Sequence, residues 1–171
     1  MDTLDAALFI LRLGVGLVFA AHGAQKIFGW WGGPGIRGWR GAMERMGYRP
    51  VTLFAAVSSL TELGGGMLLT LGLFTPVAGA ALVAQSVAII GQAHWQNGFF
   101  NSKGGFEFPL VLGAGAATLA LLEAGGWSLD AAIGFELDAS LRVGLIVAGI
   151  VAGLVALSVP RLSTGRTAPQ H

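Results

Sequence analysis

Five runs of about twenty mostly apolar residues dominate the chain, and about twenty is what a helix needs to cross a bilayer core. They cover residues 6–28, 52–74, 77–95, 108–124 and 141–159. Only helices and closed barrels satisfy every backbone group in lipid. These runs are too long and too continuous for barrel strands. The expected fold is therefore all-α, a polytopic transmembrane helical bundle.

Composition points the same way. Only 11% of the 171 residues are charged, where a soluble domain carries about 25%. The 28 glycines are roughly twice the usual share and suit helices whose backbones approach closely in a membrane. A formal net charge of +1 argues against a nucleic-acid partner. Cysteine is absent, so the chain can hold no Fe–S cluster, thiolate metal site or thiol redox couple of its own. No metal site is expected, and no cofactor held wholly within the chain.

The first run lacks a basic leader and carries Arg12 and His22, so it reads as a retained helix and not as a signal peptide. After it, Gly-Gly-Pro-Gly breaks the helix. Ile36, Trp39, Met43 and Met46 then recur at helical spacing, with Arg37, Arg40, Glu44 and Arg45 between them. That predicts a short interfacial amphipathic helix over about 36–47, with Trp30, Trp31 and Trp39 at headgroup level. A structured loop is the plainer alternative.

Loop charges set an expected orientation. Arg37, Arg40, Arg45 and Arg49 follow the first run, Lys103 the third, and Arg161 and Arg166 the fifth. Asp2, Asp5, Asp130, Glu136 and Asp138 fall on the other side of a five-pass path, with Arg142. By the positive-inside rule the basic side is cytoplasmic, with the N-terminus outside and the C-terminus in the cytoplasm.

Ionisable groups inside an apolar run usually have a partner or a task. In the first run Arg12, His22, Gln25 and Lys26 fall within an arc of roughly 140° at about 100° per residue. Lys26 also reads as an end charge that snorkels to the interface, and His22 as a hydrogen-bonded packing residue. Glu62 lies near the middle of the second run and needs a cation or a proton. Arg12 is the expected partner in a structural Arg12–Glu62 pair, and Lys26 the second choice. In the third run Gln85, Gln92 and Gln96 lie within about 40°, a stripe that also suits interhelical amide bonds. The resulting candidate cluster, gathered toward the cytoplasmic end, is His22, Gln25, Lys26, Glu62, Gln92, His94 and Glu107. In the fifth run Gly149 and Gly153 form a GxxxG pattern, the signature of a helix-dimer contact in a homo-oligomer.

The string RLGVGLVFAAHGAQKIFGWWGGPG, Arg12 to Gly35, resembles the opening of the DoxX family of small bacterial integral membrane proteins. Its AHGxQK core spans Ala21 to Lys26. TELGGGMLLTLGLFTP, Thr61 to Pro76, is similar to the family's second helix. HWQNGFF, GGFEFPL and GWSLDAAIG look like its later segments, so the likeness runs from about Leu8 to Gly134. It implies a four-helix core over 1–140, here followed by an added transmembrane helix over 141–160 and a cytoplasmic tail over 161–171. It also implies the cell membrane and association with redox systems: quinone-linked oxidoreductases, thiosulfate oxidation, and a mycobacterial complex with thiol and superoxide enzymes. Arg12, His22, Gln25, Lys26, Glu62, His94 and Glu107 match its motif positions.

Three functions follow. The first is a non-thiol membrane subunit of a redox assembly, quinone-linked or tied to oxidative stress, that binds a quinone head group and takes electrons from a partner chain. The second is a structural anchor or scaffold for a cytoplasmic partner. The third is a small-solute transporter, for which no inverted repeat is visible. A haem held between His22 and His94 is a further cofactor alternative.

Overall fold

The computed structural model describes residues 2–164, the side chains of 161–164 excepted. Seven α-helices and no strand occur among them. They are α1 (Thr3–Phe28), α2 (Gly35–Arg45), α3 (Val51–Leu71), α4 (Thr75–Ile89), α5 (Glu107–Leu121), α6 (Leu129–Ile133) and α7 (Ala139–Thr164). The expected tail lies outside the described residues, apart from the backbone of 161–164.

Four segments are long and apolar enough to cross a membrane: Thr3–Phe28, Val51–Leu71, Thr75–Asn97 and Ala139–Pro160. The expected run 108–124 is different. Its helix α5 has 15 residues, about 22 Å at about 1.5 Å per residue, which is short of the ~30 Å hydrocarbon core. Irregular backbone completes the distance. At one end Phe106 N donates to Gly98 O (3.1 Å) and Glu107 N to Phe99 O (2.9 Å). At the other, Gly126 N donates to Asp5 Oδ1 (2.6 Å) at the start of α1. Backbone groups freed from the helix are thus satisfied by protein, as they must be at membrane depth.

Those contacts fix the path. Calling the end where α1 begins proximal, α1 runs to the distal end and α3 returns. Helix α4 runs distally again, α5 returns, and α7 ends distally, where the Tyr48 hydroxyl donates to Ala156 O (3.2 Å). The first and second main passes, α1 and α3, pack most closely. A Cβ on Gly66 would lie 2.5 Å from Ala20 N and 2.6 Å from Gly16 O, so glycine is required there for α1 and α3 to touch backbone to backbone. The central core is Leu8, Val15, Phe19, Leu69, Leu82, Val83, Ala116 and Leu119.

Helix α2 forms where the Trp39, Met43 and Met46 spacing predicted it. Met43 is buried, and it packs with Tyr48 and Ala55 against Trp39, Met46 and Phe54. The apolar face of α2 therefore covers the distal end of the bundle, while Arg37, Arg40, Glu44 and Arg45 face outward.

Helix α7 corrects one expectation. A Cβ on Gly149 would lie 2.5 Å from Ala80 O, and one on Gly153 would lie 2.6 Å from Ala84 O. The GxxxG pattern is consumed by packing α7 on α4 within the chain, so these two glycines offer no free face for a second copy.

Candidate functional site

Glu62 is 1% exposed, on the face of α3 turned toward α1 and α4. Its Oε1 accepts from Lys26 Nζ at 2.6 Å and from Gln85 Nε2 at 3.1 Å. The same Gln85 amide donates to Ser58 Oγ at 2.8 Å. The Lys26 ammonium also lies 4.2 Å from the centre of the Trp39 ring, between an aromatic face and a carboxylate. A cation placed over indole away from water gains further electrostatic stabilisation. One ionic cluster thus links α1, α2, α3 and α4.

The expected Arg12–Glu62 pair does not form. Helices α1 and α3 run antiparallel, with Gly23 against Leu63 and Gly16 against Gly66. That register puts Lys26 beside Glu62. Arg12 lies about 21 Å farther along α1 at about 1.5 Å per residue, against Gly72. There Arg12 Nη2 donates to Trp127 O, and Asp130 is the carboxylate that acts on it. Asp130 is 4% exposed. Its Oδ1 and Oδ2 accept from Phe74 N (2.6 Å) and Thr75 N (2.9 Å), the first amides of α4. The carboxylate thereby caps a helix N-terminus, where anions are favoured. This proximal cluster was not foreseen. Loop charge alone groups Asp130 with Asp2, Asp5, Glu136 and Asp138.

Beside the distal cluster lies a cavity of about 140 Å³. Its walls include Trp39 and Met43 of α2, Tyr48, Phe54, and Ser58 of α3, and Gln85 and Gln92. Helix α2 closes it from above. Burial pushes the Tyr48 phenol up to about 12, so this wall is neutral. Three buried polar atoms at or beside the cavity have no hydrogen-bond partner among the described residues: Trp39 Nε1, Gln92 Nε2 and Glu62 Oε2. An unpaired buried polar atom typically costs about 1–3 kcal/mol, so each is a place where a ligand atom or water would be stabilising.

The structure divides the expected cluster. Gln92 lines this cavity, and the Lys26–Glu62 pair lies behind two of its walls, Trp39 and Gln85. His22 is exposed and meets Phe108 edge-on, with ring centres 5.9 Å apart. His94 Nδ1 is 2.7 Å from Gly104 O, and Glu107 Oε2 accepts from Asn101 N at 3.0 Å; both brace the 97–106 loop. Gln25 lies against Gly33 in the turn after α1. The glutamine stripe is broken as well. A π-helical turn over Ile90–His94 changes the phase of the last turns. Gln92 reaches the cavity and Gln96 is exposed. Such wide turns recur at functional sites.

Fold and site together define a helical polytopic membrane protein with a buried ion pair beside a small apolar cavity. The family model for DoxX matches residues 7–95, which is α1 through the end of the third long pass, and the chain belongs to the DoxX family. Neither a curated protein nor a solved structure matches it significantly. Apart from Ala156 of α7, every residue lining the cavity falls inside the matched segment.

Proposed function

We propose that this protein is a membrane subunit of a redox assembly and that its distal cavity takes the head group of a quinone. The observation that carries the reading is the pairing of two unsatisfied donors, Trp39 Nε1 and Gln92 Nε2, with apolar walls. A quinone ring is flat and apolar and presents two carbonyl acceptors. A volume near 140 Å³ admits one such ring and little more, since pockets for whole drug-sized ligands are about 300–1,000 Å³.

The chemistry supplied by a bound quinone is uptake of two electrons and two protons. This chain's residues position the ring and hold protons near it. Lys26 and Glu62 keep an ionisable pair beside the cavity, tied to its wall by Gln85. Electrons come from a partner chain carrying a flavin or metal centre, since this sequence has no cysteine. Its landing site is the outward face of α2. The exposed Arg37, Arg40 and Arg45 support, by the positive-inside rule, a reading in which the distal end faces the cytoplasm of a bacterial cell.

The same arginine face supports a second reading, an anchor that only holds a cytoplasmic partner. An azido-benzoquinone photolabel separates the two. On the redox-subunit reading it labels peptides covering 39–46 or 85–93, and Gln92→Leu reduces labelling about tenfold. Labelling spread evenly over all helices, or unchanged in Gln92→Leu, rejects the cavity as a quinone site. Loss of partner recovery in Arg37→Ala/Arg40→Ala/Arg45→Ala, with no specific labelling, leaves the anchor.

A further inference from the structure

The cavity opens sideways. Its walls Val57, Gln85, Ala88 and Ala156 also line a groove of about 450 Å³ that runs between α3, α4 and α7. Along α4 the groove extends from Ala88 to Val77, and along α7 from Ala156 to Leu145. Either stretch is about 16 Å at about 1.5 Å per residue. Half of a ~30 Å hydrocarbon core is about 15 Å. The groove is therefore about one leaflet long; it begins at the cavity, near the middle of the Thr75–Asn97 span, and ends at Val77 near that span's proximal end.

Its floor is built from small side chains. Gly149 and Gly153 hold α7 against α4 backbone, and Ala81, Ala84, Ala148 and Ala152 leave the channel open. Val57 and Val77, 53% and 47% exposed, form raised walls. The upper end is not merely apolar. Gln85 stands in both spaces and holds Glu62, which is 1% exposed and keeps one oxygen unpaired. Helix α7 supplies one whole wall, and it lies outside the segment matched to the family.

We infer that this groove seats the hydrocarbon chain of the same ligand whose head occupies the cavity, so that a tailed quinone enters laterally between α3 and α7 with its chain directed toward the proximal end. The inference rests on the head-group reading above. It explains why α7 packs through glycines: close approach leaves a shallow, straight channel where larger side chains would close it. Lipid is itself apolar, so the chain gains from packing and from a fixed direction, and not from leaving water.

The test compares two probes on the purified full chain in lipid nanodiscs. One is a benzoquinone with a decyl chain, the other the same ring with a methyl group. Binding is read by quenching of tryptophan fluorescence, and the quantity of interest is the affinity ratio of the two probes. Partition into lipid is common to all variants and cancels between them. Ala148→Phe and Ala152→Phe fill the groove at positions exposed in the structure, and gel filtration with a thermal melt checks that each is folded. The expected ratio is about tenfold higher in the parent chain than in either variant. Equal ratios in parent and variants, with both probes still binding, overturn the groove and leave the head site standing. Binding of neither probe to the parent removes both.

Discussion

A buried ion pair matters most for what happens when half of it is removed. Glu62 accepts from Lys26 at 2.6 Å, with side chains 2% and 13% exposed respectively. Deleting one member leaves a buried charge with no counter-charge, which typically costs about 3–5 kcal/mol, whereas replacing both by apolar groups is often nearly neutral. Lys26→Met is therefore expected to destabilise the protein by about 3 kcal/mol in mixed-micelle unfolding, and Glu62→Gln by somewhat less, since Gln85 still finds an acceptor. Lys26→Met/Glu62→Met should lose clearly less than the separate Lys26→Met and Glu62→Met losses added together. Strict additivity would show that the two side chains do not act as a pair. The importance of Glu62 was readable from the sequence, because a carboxylate in an apolar run is conspicuous. Its partner was not. Arg12 and Lys26 share one face of α1, and only the antiparallel register set by Gly16, Gly23 and Gly66 decides between them.

At the scale of elements, the long apolar helices and the amphipathic α2 were legible because each follows from local periodicity and length. What stayed hidden depends on contacts distant in sequence. No local signal marks Asp130 as a cap for α4, since its partners Phe74 and Thr75 lie more than fifty residues earlier. The π-helical turn at Ile90–His94 is equally silent, and it separates Gln92, at the cavity, from the exposed Gln96. The cap makes its own prediction. Asp130→Ala strips the acceptors from two amides at the start of α4 and removes the carboxylate acting on Arg12. About 2–3 kcal/mol of stability should be lost in the same unfolding assay. Asp130→Asn keeps one acceptor and should lose about half as much. Ala and Asn variants equal to the parent would mean that the side chain of Asp130 does not hold the 122–138 segment.

For the whole molecule, the decisive property is the number of passes. Four segments satisfy the length and hydropathy that crossing requires, and by that measure alone the two termini would lie on the same side. Helix α5 changes the parity. It is too short to span as a regular helix, yet the hydrogen bonds of Phe106 and Glu107 at one end and of Gly126 at the other carry the chain from the distal end back to Asp5. The path thus has five passes, and the side chain of Asp2 lies at the opposite end from Lys103. The absence of native cysteine makes this testable without background. Asp2→Cys and Lys103→Cys, each the only thiol in its variant, are labelled in intact cells with a membrane-impermeant maleimide. With the basic face of α2 on the cytoplasmic side, position 2 should label from outside, and position 103 only after the cells are opened. Labelling of both from one side would mean that α5 with its flanking loops re-enters the membrane without crossing it. Labelling of position 103 from outside and position 2 only in opened cells would keep the five passes and invert the protein. The quinone cavity and its arginine-bearing lid would then face away from the cytoplasmic partner proposed to supply electrons.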